Sequence, residues 1–215
     1  MLEKFFYYAV TFAEAGLAFA GVRGLFEQPA YTVRQDLGQH LEIRDYAPAK
    51  AAEASVREAT WEKGMDAAFR LMFAYITGRN TGGAMIAMTV PVQQIPAPSL
   101  IAMTSPVHTD IAAENGAARV TMRFFLPAKH AAHPPAPTDP RVTIVVVPAR
   151  TAAALRYSGN PTDASRERHE KDLLDRLNGT SWRAVGKPYF LSYDPPFTIP
   201  FLKRNEIVVE IAPAS

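Results

Sequence analysis

Five histidines, seven methionines and no cysteine set the chemical repertoire of this 215-residue chain. Without cysteine there are no disulfides, thiolate nucleophiles, zinc ribbons, iron–sulfur clusters or Cys-ligated haem. His40 stands beside Gly38-Gln39 and reads as a solvated turn residue. His130 and His133 have the i, i+3 spacing that can chelate a metal on a helix, but the prolines around them argue against a helix there. His169 lies among Arg166, Glu167, Arg168, Glu170 and Lys171, the pattern of a charged outer helix face. His108, at the end of a Met-Thr-Ser-Pro-Val run, could face a cleft and is the candidate metal ligand. Glu167, Glu170, Asp172 and Asp175 alternate with Arg and Lys as i, i+4 ion pairs do, not as a paired acid/base site. No nucleophile elbow, phosphate-binding glycine loop, dinucleotide fingerprint or zinc-protease motif occurs; Gly78-Arg79-Asn80-Thr81-Gly82-Gly83 lacks the Lys-Ser/Thr pair and reads as a plain loop.

Six of the seven methionines fall between Met65 and Met122. Flexible, polarizable thioethers adapt well to a flat ligand. Met88, Met103 and Met122 sit in strand-like runs and read as core. Met65 and Met72 flank Phe69 and Phe73 at helical spacing, which taken alone also describes a core stripe.

The elements that must position these groups follow from periodicity. Tyr31–Leu37, Leu41–Tyr46 and Ala49–Val56 alternate as strands, with a turn at Gly38-Gln39 and a break at Pro48. Trp61–Thr77 is helical and stops at Gly78. Ile86–Ile95, Leu100–Thr109 and Arg119–Leu126 read as strands. Residues 127–141, with five prolines, read as a surface connection. Val142–Val147 and Thr151–Ser158 are strands, Asp163–Asn178 is a helix with Leu173, Leu174 and Leu177 inward, and Tyr189–Tyr193 and Glu206–Ile211 close the chain. Apolar residues at 48% support a packed core, and 23 basic against 21 acidic residues leave no basic surface for nucleic acid.

Residues 1–30 stand apart. Phe5 to Val22 is apolar except for Thr11 and Glu14, which reads as a helix docked on the protein or a membrane surface, a membrane anchor, or a cleaved signal. Membrane association through residues 3–22 is thus one expectation, a cytoplasmic chain another, and export a third.

Two internal echoes organise the remainder. Ile86-Ala87-Met88-Thr89-Val90-Pro91-Val92 returns as Ile101-Ala102-Met103-Thr104-Ser105-Pro106-Val107, and Pro48-Ala49-Lys50 returns as Pro148-Ala149-Arg150, each of the latter opening a strand that leads to a glycine-stopped helix. A duplicated strand–helix–strand–strand unit is expected, with a ligand cleft at or near the pseudo-twofold seam.

The runs Leu41-Glu42-Ile43-Arg44-Asp45-Tyr46-Ala47-Pro48-Ala49-Lys50, Tyr75-Ile76-Thr77-Gly78-Arg79-Asn80, Ile86–Val92, Pro134–Pro137, Tyr193–Pro196 and Arg204-Asn205-Glu206, in this order, resemble landmarks of the SOUL haem-binding family over residues 31–212. That resemblance implies an α+β fold in which two pseudo-twofold βαββ halves form a distorted β-barrel flanked by two helices, also akin to the gyrase-inhibitor-like fold. It implies binding of haem or another porphyrin along the first helix, through Met65, Phe69, Met72 and Phe73, with Arg70 or Lys63 pairing a propionate. A histidine proposed as an iron ligand in one relative is replaced here by Asp45, so the axial ligand is left open. The expected partner is a tetrapyrrole held for trafficking, buffering or delivery. Iron removal from haem and general sensing of hydrophobic small molecules are the alternatives, and the sequence does not choose an oligomeric state.

Overall fold

A computed structural model describes residues 27–96, 118–194 and 198–214. The N-terminal segment 3–22, His108 and the expected strand Leu100–Thr109 lie outside the described residues. Among those described, no helix is long and apolar enough to cross a membrane.

The chain runs β1 (Tyr31–Asp36), β2 (Leu41–Tyr46), β3 (Ala49–Glu58), α1 (Trp61–Ile76), β4 (Val92–Pro96), β5 (Ala118–Phe125), β6 (Val142–Val147), β7 (Arg150–Tyr157), α2 (Asp163–Leu177), β8 (Trp182–Ala184), β9 (Tyr189–Ser192) and β10 (Asn205–Pro213). All strand pairings are antiparallel, in the order β1-β2-β7-β10-β9-β4-β5-β3-β6, with β8 beside the end of β10. From β2 to β6 this order is a palindrome about the β9–β4 seam, where Val92–Gln94 pair with Ser192–Phe190. The duplication is therefore real, and each half lends its first strand to the other: β2 pairs with β7 and β6 with β3.

The equivalence between halves is set by faces, not by the repeated tripeptide. The pair Ile43–Ala153 corresponds to Ile144–Ala52, Met72 to Leu173, Ile76 to Leu177 and Gly78 to Gly179, a constant offset of about 101 positions. Pro48-Ala49-Lys50 and Pro148-Ala149-Arg150 repeat one residue out of that register, and a one-residue slip in a strand would turn core side chains outward.

Both helices cover the same sheet face. Under α1 lie Ala52, Ala54, Val120, Met122 and Phe124, and under α2 lie Leu41, Ile43, Ala153, Ile207 and Val209. Gly64 explains how closely α1 approaches: a Cβ there would stand 2.5 Å from Val120 Cγ2. Met72 has no exposed surface and belongs to this core, which corrects its assignment as a ligand contact. Leu174, expected inward, is exposed, and Leu173 and Leu177 alone hold α2 down from its leucine run.

Other corrections have local causes. Of the strand expected at Ile86–Ile95, only Val92 onward is paired, because Pro91 has no N–H for a ladder and Thr89 instead donates to Phe125 O at 2.5 Å. A single helical turn forms at Ala128–Ala131 inside the proline-rich connection and includes His130, where none was expected. The strand β8 is three residues long and carries no alternation to read.

The opposite sheet face buries charge. Arg44 on β2 is 2% exposed and Glu206 on β10 is 0% exposed, joined by two bonds of 2.8 and 3.1 Å. Arg204 Nη2 donates to the same carboxylate at 2.6 Å and Tyr193 OH at 2.8 Å, and Arg44 lies over the Tyr31 ring at 4.5 Å. Burial alone would raise the Glu206 carboxyl, but the Arg44 hydrogen bonds and the charges of Arg44 and Arg204 outweigh it and hold it below the usual glutamate value.

Two outcomes follow. Met72→Ala lowers unfolding free energy by about 2–5 kcal/mol in urea denaturation, as deletions in a sealed core do. Glu206→Gln, which strands a buried guanidinium, costs about 3–5 kcal/mol at neutral pH. Because the folded-state value is the lower one, the stability Glu206 supplies is complete above the unfolded glutamate value of about 4.3 and is lost as pH falls through the folded value. The gap between wild type and Glu206→Gln therefore narrows in acid; a gap that stays constant from pH 7 to pH 3 would refute the assignment.

Candidate functional site

The first helix is built to present one face. Thr60 caps its start, accepting the Lys63 N–H at 3.3 Å, and Thr77 ends it, followed by Gly78 at φ +107. Ala68, Met72, Tyr75 and Ile76 turn to the sheet. Lys63, Asp66, Phe69, Arg70 and Phe73 turn to solvent. Met65 is half-buried and packs against the core edge. Lys63 stands two turns before Arg70 on the same face and lines neither of the grooves described below.

Phe69 and Phe73 are 40% and 43% exposed, an unusual state for two large apolar side chains one turn apart. Their rings stack at 5.9 Å and 17°, and Phe69 meets Phe124 of β5 edge-on at 5.9 Å. Phe124 is buried, so the exposed pair rests on a fixed ring. Along this pair runs a groove of about 460 Å³, lined by Phe69, Arg70, Phe73, Ala74, Thr77 and Arg79. A second groove of about 480 Å³ lies across Arg70 and Arg79, between α1 and the strands β3 and β6, with Arg57, Glu58, Asp139 and Arg141 on its walls. Both volumes fall within the range of about 300–1,000 Å³ usual for small-molecule sites.

Arg79 is the residue that the sequence reading passed over as loop. Its backbone is clamped. Asn80, buried, donates through Nδ2 to Tyr75 O and Ala84 O at 2.8 Å each and accepts the Ala84 N–H at 2.8 Å. Arg79 O accepts from Thr138 Oγ1 at 2.9 Å, and Thr81 N–H donates to Ala136 O at 2.8 Å. The flanking Gly78 and Asn80, a left-handed glycine and a loop-closing amide, were the available signal. Across the second groove Arg141 is neutralised by Asp139, whose carboxyl its guanidinium lowers to about 2. Among the described residues Arg70 and Arg79 have no ion-pair partner, so they carry the positive potential where the two grooves meet.

The remaining candidates lie elsewhere. Asp45 accepts from Arg34 Nε at 2.8 Å and Thr151 Oγ1 at 2.7 Å, and these bonds lower its carboxyl, which marks a structural tie on β2 far from α1. His40 occupies the β1–β2 turn at φ +65, as its turn reading expected. His169 is not on an outer face: it is half-buried, stacked on Tyr157 at 3.8 Å and 12°, with Nδ1 2.6 Å from Ser165 O. Burial pushes the Tyr157 phenol up to about 12. Among the described residues no cluster of three metal-ligating side chains occurs.

On α2 the positions equivalent to Phe69, Arg70 and Phe73 are Glu170, Lys171 and Leu174. The second helix is laced by ion pairs, Arg166–Asp163 and Lys171–Asp175 among them. One duplicated helix has thus kept a greasy, cationic outer face while its copy became an ordinary solvated helix.

Known proteins are similar to this chain in sequence and in fold. Mouse heme-binding protein 1 is 27% identical over 161 residues, covering 74% of this chain and 77% of that protein. Mouse heme-binding protein 2 is 24% identical over 204 residues, covering 91% and 90%. Among solved structures, the EcmrR C-terminal domain superposes with a TM-score of 0.55 at 11% identity, over 86% of this chain and 99% of that domain, and a hydrolase from Listeria innocua with 0.50 at 9%, over 81% and 92%. These two likenesses are of fold alone. The sequence profile described as SOUL heme-binding protein matches residues 26–210, and the chain belongs to that family.

Proposed function

We propose that this protein binds haem or another tetrapyrrole along α1, with one porphyrin face on Phe69 and Phe73 and the propionates paired by Arg70 and Arg79. The reading is carried by one observation: a stacked phenylalanine pair left in solvent, on only one of two duplicated helices, beside two guanidinium groups that have no ion-pair partner among the described residues. Family membership supports the ligand class.

A porphyrin is broad, flat and apolar, with two carboxylates on one edge. Covering about 100 Å² of ring surface at about 25 cal/mol per Å² is worth about 2.5 kcal/mol before association costs. Carboxylate–guanidinium pairs add direction and charge. Lys63, about 10 Å along the axis from Arg70, offers a further cation toward the helix start, and Met65 a thioether between them. The groove is open along one side of a rigid helix, which suits reversible capture for trafficking or buffering. Among the described residues no histidine lines it, and in this reading contact with the macrocycle and its carboxylates supplies the affinity.

Titration of haemin into the full chain, followed by Soret absorbance, tests this. Phe69→Ala/Phe73→Ala weakens binding at least tenfold with little loss of fold. Arg70→Glu/Arg79→Glu weakens it several-fold at low salt and less at high salt. Metal-free protoporphyrin binds within a few-fold of haemin. Saturation unchanged by both double variants would place the ligand elsewhere.

A further inference from the structure

The two outer edges of the sheet are treated differently. By the duplication, β2 and β6 are equivalent strands, each lent to the opposite half. The free side of β2 is covered by β1, paired antiparallel from Tyr31–Tyr46 to Asp36–Glu42. The strand β1 is itself a guarded edge, with Thr32, Arg34, Gln35 and Asp36 all exposed. Among the described residues the free side of β6 has no such cover: it pairs with β3 alone, and no strand follows it in the sheet order.

Its sequence is Val-Thr-Ile-Val-Val-Val, six residues, five of them aliphatic and all β-branched, with neither charge nor proline. Val146 is 68% exposed, the second most exposed large apolar side chain among the described residues. Within its own sequence, an edge of this composition carries neither of the residue types, charge or proline, that keep strand edges apart. The flanking residues do not supply one either: Arg141 is neutralised by Asp139, and Pro148 follows immediately.

We infer that β6 is a self-association edge, and that a second copy of this chain caps it through antiparallel β6–β6 pairing. Three features favour a second copy over another protein or a peptide. A strand paired with itself about a twofold axis perpendicular to the sheet meets its own composition in reverse order; a strand charged with one sign would repel itself, and this one carries no charge. Centring the axis on Ile144 or Val145 places Val146 against Val142 or Ile144 of the other copy, on the helix-bearing face of both sheets. The same molecule already uses this geometry internally, since the β4–β9 seam is an antiparallel pairing of equivalent strands about a pseudo-twofold axis. The resulting dimer has one continuous sheet, with both α1 helices flanking the joint.

Sedimentation equilibrium of the full chain reads this directly. Wild type is expected at twice the 23.6 kDa chain mass at tens of micromolar. Val146→Lys puts two like charges into the joint without touching the core, and is expected to raise the dimer dissociation constant at least tenfold. Thr143→Lys, also at an exposed position, is expected to do the same, while Val185→Lys, exposed on the far side of β8, leaves the mass unchanged. Hydrogen exchange at residues 142–147 is expected to slow with rising protein concentration in wild type and to lose that dependence in Val146→Lys. A monomer at these concentrations overturns the inference, as does a dimer that both β6 lysine variants leave intact, which would assign association to another surface.

Discussion

The fold turns on one carboxylate. Glu206 is buried, and on the face away from the helices it gathers Arg44, Arg204 and the Tyr193 hydroxyl around its two oxygens. Arg44 comes from β2, early in the chain, and Glu206 from β10 near its end, with β7 between them in the sheet. The pair therefore stitches the exchanged strand of the first half into the body of the second. The positions equivalent to Arg44 and Glu206 in the other exchange, Val145 and about Thr121, are uncharged. Buried ion pairs are poor sources of net stability but penalise wrong partners heavily. With alanines at 152, 153 and 154 of β7 giving little side-chain specificity, the bidentate pair, with the Thr151–Asp45 bond beside it, fixes β2 in register there, and register decides which face Leu41 and Ile43 cover.

Once the two halves are locked, each helix has an inner face fixed by the sheet and an outer face that carries no structural duty. The outer faces have diverged. On α2, charges of alternating sign keep the helix solvated, and Tyr157 and His169 fill the gap beneath it. On α1, Phe69 and Phe73 are exposed among the described residues, and the helix cannot retreat to hide them, because Gly64 already brings it against Val120.

Much of this was legible in the sequence. Alternation placed β2, β6 and β7 to within a residue or so, and the glycine stops placed both helices. The pseudo-twofold was visible in the repeat, although its most obvious mark, Pro-Ala-Lys against Pro-Ala-Arg, lies one residue off the structural register. On the helices, what failed did so at the resolution of a single helical step. Met72 and Phe73 are neighbours in sequence, one sealed and the other exposed; a stripe containing both cannot tell the side facing the sheet from the side facing solvent. The same one-step error put Leu174 inward and His169 outward. The Arg44–Glu206 pair was out of reach because its members are 162 positions apart and nothing local marks either as buried.

Arg79 shows how a residue can be passed over even when the run that contains it is recognised. Its chemistry is ordinary, and its placement is not. The backbone on either side is held by Gly78 in a conformation that disfavours side chains and by Asn80 acting as a three-bond clasp, while Thr138 of the proline-rich connection fixes its carbonyl. The connection that looked like a spacer between halves thus serves the first half: Pro135 O receives the Tyr75 hydroxyl and Ala136 O the Thr81 amide. Prolines suit this task, since a chain already restricted in φ loses less entropy when it is pinned across a neighbouring loop. A guanidinium on so constrained a backbone stays at the groove mouth instead of folding onto Asp139, and Arg141 holds that carboxylate. The position of the Arg79 guanidinium beside the aromatic pair is therefore produced by the loop architecture around it, not by the arginine alone.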